Sequence, residues 1–284
     1  GLMPVVKAAK KGISIALANK ESLVCSGSLI TSIANKNGSI ILPVDSEHNA
    51  IFQVLDSKNR SNVSKLILTA SGGPFLNKEI KDLADITPEQ AVKHPNWSMG
   101  KKISIDSATM INKIYEVIEA KNIFGIPYKK IKILIHPKSY VHALLKFNNG
   151  LIKIIVHDTT MKIPIFNTLY LNSGKKIESK NLNIKTLNNL SFKKVSLKRY
   201  PMVKLLNFLP NKHSLYETVI VSANDTLVGL FLQQKIRFTD IQKKLFKIIR
   251  LKEFSKYKNI YPKNVKDILE LNNYVRLKTI KKSV

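Results

Sequence analysis

Apolar residues in the first 70 positions fall into short runs that alternate with amphipathic stretches. Apolar spacing of three to four residues predicts helices, and short continuous runs predict strands. The pattern predicts a helix at 2–11, a strand at 13–18, a helix at 23–35, and strands at 40–44 and 65–70. This order is typical of an α/β sheet, in which ligands bind beyond the carboxyl ends of the strands.

The second half of the chain changes character twice. An apolar strand is predicted at 131–135, followed by a hairpin whose strands, 140–147 and 151–156, flank Asn148-Asn149-Gly150. Residues 171–190 are rich in Asn, Ser and Lys and are predicted to form a linker. The later pattern is helical and predicts a terminal all-α bundle with helices at 202–208, 215–234, 238–249 and 265–277.

Composition places limits on function. The 284 residues carry 47 Lys and Arg against 19 Asp and Glu, a net charge of +28. Such a charge favours anionic partners, but the lysines are spread among Ile and Asn residues, and no zinc-finger or RNA-binding motif occurs. We expect neither nucleic acid nor a membrane as partner, because the apolar runs are shorter than the roughly 18 residues of a membrane span. The single cysteine, Cys25, and the lack of a signal-peptide pattern predict a reducing, cytoplasmic compartment.

Two acids follow the predicted strand at 40–44. Side chains alternate along a strand, so Asp45 and Glu47 are expected on the same side. A divalent cation would relieve their repulsion, and carboxylate oxygens suit Mg²⁺ or Mn²⁺. The alternative is a solvated strand end before a turn.

A second polar stretch, residues 105–119, can supply a third carboxylate. We predict a short strand at 103–105 and a helix that begins at Asp106-Ser107, with Asn112, Lys113 and Glu116 on one face. A helix start with Ser107 and Lys113 beside it is suited to an anion such as phosphate. Glu116 could complete a metal triad with Asp45 and Glu47; the alternative is a solvated helix face.

Four other features are candidates for binding. Asn19-Lys20-Glu21 follows a strand, where it is either a ligand site or a helix cap. Ser71-Gly72-Gly73 allows close approach of an anion or forms an ordinary turn. Trp97, in a loop between Pro95 and Gly100, either covers a site or anchors the loop. His136 and His142 are possible ligands but are more simply structural.

Taken together, these stretches resemble the 1-deoxy-D-xylulose 5-phosphate reductoisomerase family of the methylerythritol phosphate route to isoprenoids. The resemblance covers nearly the whole chain. The matching segments are ALANKESLV at 16–24, LPVDSEHNAIFQ at 42–53, SGGPF at 71–75, HPNWSMGKKISIDSATMINK at 94–113 with Glu116 and IEA at 118–120, IHPKS at 135–139 and QQKIRFTDI at 233–241.

The resemblance implies a role for each matching position. Asp45, Glu47 and Glu116 would bind Mg²⁺ or Mn²⁺, and together with Lys20 they would form the catalytic set. The substrate, a sugar phosphate, would contact Lys20, Ser46, Glu47, Ser71, His94, Ser107, Asn112, Lys113 and Glu116. NADPH would contact Asn19, Glu21 and Gly100, and residues 71–101 would form a lid loop. A homodimer is also implied.

The implied fold is α/β in three parts. Residues 1–44 would be the end of a Rossmann-like NADPH domain, and 45–170 an α+β catalytic domain with a mixed sheet and the lid loop. Residues 171–190 would be the linker, and 191–284 the C-terminal all-α bundle. No G-x-G-x-x-G motif occurs, so we expect most of the NADPH domain upstream of residue 1 and weak NADPH binding by this chain alone.

Three departures from the family pattern lie away from the expected metal ligands. Leu76 stands where an arginine is usual, Ile114 where a glycine is usual, and residues 157–161 replace Gly-x-Pro-Asp-Met. The expected activity is metal-dependent isomerisation and NADPH-dependent reduction of 1-deoxy-D-xylulose 5-phosphate to 2-C-methyl-D-erythritol 4-phosphate. Two alternatives are a non-catalytic basic binding protein on the same scaffold and a different sugar-phosphate enzyme.

Overall fold

The secondary structure follows the predicted alternation and then becomes helical. The computed structural model describes residues 1–171 and 173–284, with the backbone alone for Ser57 and Lys58. The strands are β1 Ile15–Leu17, β2 Ile41–Pro43, β3 Val63–Ala70, β4 Ile131–Ile135, β5 Val141–Phe147, β6 Ile152–Val156 and β7 Lys193–Lys194. The helices are α1 Leu2–Lys10, α2 Lys20–Lys36, α3 Ser46–Val54, α4 Ser57–Arg60, α5 Pro88–Ala91, α6 Lys101–Thr109, α7 Ile111–Phe124, α8 Lys162–Leu169, α9 Ile184–Asn188, α10 Tyr216–Leu232, α11 Phe238–Ile249, α12 Lys252–Ser255 and α13 Val265–Ser283. Short 3₁₀ helices span Lys81–Asp85, Tyr128–Lys130, Pro201–Asn207 and Lys256–Asn259.

The first 44 residues form a small parallel unit. Strands β1 and β2 pair in parallel, with Ile15 opposite Ile41, and α1 and α2 pack beside them around Leu17 and Leu23. Asn19 begins α2, because its side chain accepts a hydrogen bond from the Ser22 N–H at 3.2 Å. The polar turn predicted after the first strand is therefore a helix N-cap that places Lys20 at the start of α2.

A five-stranded mixed sheet forms the centre of the molecule. Its order is β6-β5-β3-β4-β7, with β3 and β4 parallel and the other pairs antiparallel. Helices α3 and α7 pack on this sheet through apolar contacts that include Ile51, Val117 and Phe124. The described part of the predicted linker contains α9, and β7 joins the sheet edge beyond it. The 171–190 stretch is thus not wholly irregular.

The prediction for residues 103–106 is wrong. The structure has no strand at 103–105, where the chain is already inside α6, and the next helix does not begin at Asp106. Met110 adopts a left-handed conformation with φ 68°, which ends α6 and starts α7. Three residues with two isoleucines cannot distinguish a strand from a buried helical turn, because either element can bury such side chains. Ser107 consequently lies in the last turn of α6, whereas Asn112 and Lys113 lie in the first turn of α7.

The terminal helices share one core with the middle of the chain. The predicted helix at 238–249 is found as α11, and that at 202–208 is a 3₁₀ helix. Buried residues of α10 such as Tyr216 and Val219 belong to the same apolar cluster as Ile114 and Ile118 of α7. This continuous core fixes α7 between the sheet and the terminal helices. Within the described residues, none of the helices is long and apolar enough to cross a bilayer.

Candidate active site

A cavity of about 310 Å³ lies where α2, α3, α6, α7 and the 94–100 loop meet. Its volume is within the range of small-molecule sites. Eleven of the thirteen predicted site residues line it: Lys20, Asp45, Ser46, Glu47, Ser71, His94, Gly100, Ser107, Asn112, Lys113 and Glu116. The other two, Asn19 and Glu21, are not part of its lining.

Three carboxylates converge on one side of the cavity. Asp45, Glu47 and Glu116 each offer an oxygen within 4.8 Å of the others. Strand alternation is not the reason that the first two meet, since β2 ends at Pro43 and both acids belong to the start of α3. Asp45 is the N-cap and accepts a hydrogen bond from the Glu47 N–H at 3.4 Å. Glu116 arrives from α7, which packs on the same sheet.

Two buried lysines separate the three acids. The Lys20 ammonium contacts the Asp45 carboxylate and donates to Glu116 at 3.1 Å. The Lys113 ammonium donates to Glu47 at 2.6 Å and contacts Glu116. Lys20 and Lys113 are only 6% and 4% exposed, so these ion pairs are shielded from water. When all three acids are ionised, the two ammonium groups leave the cluster with one excess negative charge.

The electrostatic coupling shifts several pKa values. Burial opposes charge on Asp45, but the Lys20 ammonium outweighs it and holds the pKa of that carboxyl well below its usual range. Burial would likewise lower the pKa of Lys20, yet Asp45 and Glu116 raise it well above the ordinary value. Burial and the Glu116 carboxylate raise the pKa of Glu47 to about 7, against the opposing effect of Lys113. The lysines do not fully compensate the repulsion among the three carboxylates, and the raised pKa of Glu47 reflects the part that remains.

The donor set suits a hard divalent cation. The three oxygens come from carboxylates, which are the preferred ligands of Mg²⁺ and Mn²⁺. They belong to two helices that share a packed core, so their separation is fixed by the fold. A cation would also neutralise the excess negative charge of the cluster. The residues present thus fit a bound Mg²⁺ or Mn²⁺.

Two further residues of this cluster were not singled out from the sequence. His48 and Glu119, both 0% exposed, lie three residues beyond Asp45 and Glu116 respectively. A spacing of three places each on the same helical face as its acid, which is the signal that could have identified them. His48 Nδ1 lies 3.3 Å from Glu119, and burial would lower the pKa of His48, but Glu119 and Asp45 raise it to about 9.

Another part of the cavity lining supplies hydrogen-bond donors and is called the donor wall here. His94 Nδ1 accepts the backbone N–H groups of Asn96 and Trp97, each at 3.1 Å, so its hydrogen is on Nε2. That Nε2–H faces the Ser71 hydroxyl at 3.0 Å, and the Gly73 N–H donates to the same oxygen at 3.0 Å. Both acceptor positions of Ser71 are then used, which leaves its hydrogen to donate to a bound anion.

The glycines of this turn allow the wall to form. Gly72 and Gly73 have φ of 86° and 68°, a region that disfavours other residues. A Cβ on Gly73 would lie 2.9 Å from the Ala108 Cα, so the turn packs directly on α6. Ser107 of α6 and Asn112 of α7 line the cavity near this turn. The residues of the predicted anion site come from the end of α6, the start of α7 and the 71–73 turn, rather than from one helix start.

The 94–100 loop forms part of the cavity lining. Trp97, Ser98, Met99 and Gly100 all contribute to this lining. Asn96 donates to the Pro137 carbonyl at 2.7 Å and to the Ser139 hydroxyl at 2.9 Å, which ties the loop to the segment after β4. Trp97 thus lies at the cavity, and its covering role stays a prediction.

Two of the predicted cofactor residues lie at the start of α2, and the third begins α6. Asn19 caps α2 and donates to Glu21 at 3.0 Å, while Gly100 begins α6 at the cavity. Lys102 donates to Glu21 at 2.8 Å and to Asp106 at 2.6 Å, linking α2 to α6. Through Lys102, these contacts tie Glu21 to α6, the helix that Gly100 begins.

The other two candidate histidines differ in position. His136 is fully buried and bonds the Ser191 carbonyl through Nδ1 at 2.9 Å, as expected of a structural residue. His142 lines the cavity, with its ring stacked on His157 at 3.6 Å between centroids. Burial, with His157 alongside, holds the pKa of His142 well below its usual range. Neither belongs to a group of three or more possible metal ligands among the described residues.

Comparisons with known proteins agree on one family. The family model of the 1-deoxy-D-xylulose 5-phosphate reductoisomerase C-terminal domain matches residues 41–124. A second C-terminal domain model of DXP reductoisomerase matches 157–278, and the 1-deoxy-D-xylulose 5-phosphate reductoisomerase model matches 1–27.

Relatives and solved structures extend the match. The reductoisomerase of Pelagibacter ubique is 54% identical over 284 residues, covering 100% of this chain and 73% of the relative. That of Sulfurihydrogenibium is 40% identical over 92% of this chain and 68% of the relative. The Zymomonas mobilis enzyme in complex with NADPH has a TM-score of 0.87 at 37% identity, over 98% of this chain and 71% of that one. A DOX-P reductoisomerase with NADPH, fosmidomycin and magnesium has a TM-score of 0.91 at 36% identity, over 99% and 72%. The chain belongs to the 1-deoxy-D-xylulose 5-phosphate reductoisomerase family.

Proposed function

We propose that this chain carries the substrate and metal site for conversion of 1-deoxy-D-xylulose 5-phosphate to 2-C-methyl-D-erythritol 4-phosphate with NADPH. The observation that supports this most is that three carboxylates and the hydrogen-bond donors of the donor wall line one cavity. Relatives of the same fold are complexes with NADPH, magnesium and fosmidomycin. The relatives named above are reductoisomerases, so they support this function rather than a non-catalytic basic binding protein.

Asp45, Glu47 and Glu116 would hold the divalent cation, which can be Mg²⁺ or Mn²⁺. When bound, this cation supplies Lewis-acid polarisation of adjacent substrate oxygens. Lys20 lies between Asp45 and Glu116, where its ammonium can donate to a substrate oxygen next to the cation. Ser46 lines the same part of the cavity and would contact the sugar backbone.

The phosphate would bind at the donor wall. The Ser71 hydroxyl has a free hydrogen because His94 and Gly73 occupy its acceptor positions. Ser107, Asn112 and Lys113 would complete the phosphate contacts from α6 and α7. Binding the phosphate away from the reacting carbons supplies energy that positions the sugar against Lys20.

The reduction requires the nicotinamide beside the rearranged carbon skeleton. The isomerisation conserves all atoms and yields an aldehyde, and reduction then adds a hydride from NADPH and one proton. Asn19, Glu21 and Gly100 would contact the cofactor at the cavity edge. The loop over the site, within residues 71–101, would exclude water and retain the aldehyde.

The arrangement of units is part of the same proposal. Residues 1–44 would belong to the NADPH-binding domain, 45–170 to the catalytic domain, and 191–284 to the helical domain, with 171–190 between the last two. The cytoplasmic location rests on the single cysteine, which fits a reducing compartment.

A homodimer would cover an exposed apolar edge. Strand β6 ends the sheet, and Ile152 and Ile154 on it are 54% and 49% exposed; Ile165 and Leu169 of α8 are exposed as well. Such an edge is normally paired or covered in a stable protein. We expect light scattering to give twice the 32.1 kDa mass of one chain. A mass of 32.1 kDa at micromolar concentration would contradict the dimer.

Calorimetry tests the proposed site. Titration of the chain with Mn²⁺ is expected to give one ion per chain. With Mn²⁺ present, 1-deoxy-D-xylulose 5-phosphate is expected to bind at least about tenfold more tightly, and the substrate should tighten Mn²⁺ binding by the same factor. Absence of saturable Mn²⁺ binding, or a substrate affinity that is independent of Mn²⁺, would contradict the proposal.

A further inference from the structure

His48 joins the two helices that carry the acid cluster. It lies in α3, the helix that Asp45 begins, and its ring is 0% exposed. On one side Nε2 lies 2.9 Å from the backbone carbonyl of Glu116 in α7. On the other side Nδ1 lies 3.3 Å from Glu119 and 3.8 Å from Asp45. One ring therefore faces the side chain of one proposed metal ligand, Asp45, and the backbone of another, Glu116.

The partners of the ring determine its hydrogens. A backbone carbonyl can only accept, so Nε2 carries a hydrogen and donates to Glu116. Nδ1 faces two carboxylates, which also accept. The ring thus links α3 to α7 through the hydrogen bond of Nε2, and its Nδ1 faces the Asp45 carboxylate.

Among the described residues, Glu119 has one ion-pair partner, His48. It is 0% exposed and lies one turn beyond Glu116 on α7. Neither of its oxygens has a hydrogen-bond partner of good geometry. Burying a carboxylate is costly unless it is paired, so the buried position of Glu119 is explained by its pairing with His48.

We propose that His48 and Glu119 are positioning residues for the metal site. Glu119 fixes the orientation of the His48 ring, and the ring sets the distance between the Asp45 carboxylate and the Glu116 backbone. Neither residue touches the cation. The proposal rests on the metal site of the proposed function, and it follows the general observation that partners behind metal ligands tune affinity.

The geometry offers one competing assignment. Ligand atoms of Asp45, His48 and Glu119 also lie within 4.8 Å of one another, so this trio could hold a second cation. We favour positioning because Asp45 would have to serve both ions, and because Nε2 and Nδ1 already face oxygen acceptors. The number of ions bound per chain separates the two assignments.

The test is Mn²⁺ calorimetry on Glu119→Gln, His48→Gln and the double variant. Each single variant is expected to bind one Mn²⁺ per chain with roughly 10- to 100-fold lower affinity. The double variant should be no weaker than the weaker single variant, because the two residues act as one unit. Glu217→Gln is the matched control: Glu217 is a 0% exposed helical glutamate in α10, outside this cluster, and its variant should keep parental affinity.

Three results would overturn the inference. Parental affinity in Glu119→Gln would show that Glu119 does not position the site. Two Mn²⁺ ions in the parent and one in Glu119→Gln would make Glu119 a ligand. Additive losses in the double variant would show that the pair does not act as a unit. Electron paramagnetic resonance at saturating Mn²⁺ supplies a second readout, since altered ligand geometry should change the spectrum even where thermal unfolding is unchanged. A parent that binds no Mn²⁺ would instead reject the proposed function itself.

Discussion

Glu116→Gln is expected to lower Mn²⁺ affinity by at least about 100-fold, or about 2.7 kcal/mol. Glu116 is the acid that both lysines contact and the ligand that α7 contributes. Gln has nearly the same volume and keeps one oxygen, so packing in this 1% exposed position is retained while the negative charge is lost. The remaining carboxylates, Asp45 and Glu47, would still face two ammonium groups. The cluster then has no excess negative charge to attract a cation.

The measurement is a Mn²⁺ titration by calorimetry with thermal unfolding as the check on the fold. Glu217→Gln, which removes an equally buried charge elsewhere, should bind Mn²⁺ as the parent does. Substrate affinity in the absence of Mn²⁺ should change little, because the donor wall is intact. Undiminished Mn²⁺ affinity in Glu116→Gln would remove Glu116 from the ligand set.

The acid cluster shows what a local pattern can and cannot predict. The pairing of Asp45 with Glu47 was predicted for the wrong reason, because an N-cap and first helical turn bring two acids together as well as a strand does. The third acid lies 69 positions beyond the second, and no local period links them. Their meeting depends on α3 and α7 packing on one sheet. The residues alone offered Glu116 as a possible third acid beside the alternative of a solvated helix face, and the resemblance to a known family favoured the triad.

Errors in the fold prediction have similar causes. Strands β3 and β4 were found near their predicted bounds because most of their residues are wholly or partly buried, which leaves a largely apolar run. Residues 103–105 were misassigned because α6 is buried and presents the same signal over three residues. His48 and Glu119 were overlooked because a buried charge pair has no sequence pattern beyond its spacing. Such pairs become recognisable once tertiary packing places the two helices together.

Lys113→Met is expected to destabilise the metal-free chain by about 3–5 kcal/mol, as breaking a buried ion pair from one side does. Lys113 is 4% exposed and compensates both Glu47 and Glu116. Met fills the space but leaves the two carboxylates facing each other. Urea unfolding without metal measures the loss. Lys266→Met is the control. Lys266 pairs with Glu270 at 3.7 Å on the exposed surface, so its loss should change stability by less than about 0.5 kcal/mol.

The same variant should affect metal and substrate in opposite directions. Without the ammonium, Glu47 and Glu116 attract a cation more strongly, so Mn²⁺ should bind more tightly and recover part of the lost stability. The phosphate loses a buried positive partner, so 1-deoxy-D-xylulose 5-phosphate should bind at least about tenfold more weakly at saturating Mn²⁺. A general loss of structure would weaken both ligands together. Tighter Mn²⁺ binding with weaker substrate binding would therefore assign Lys113 to the boundary between the acid cluster and the donor wall. Weaker binding of both Mn²⁺ and substrate would contradict that role.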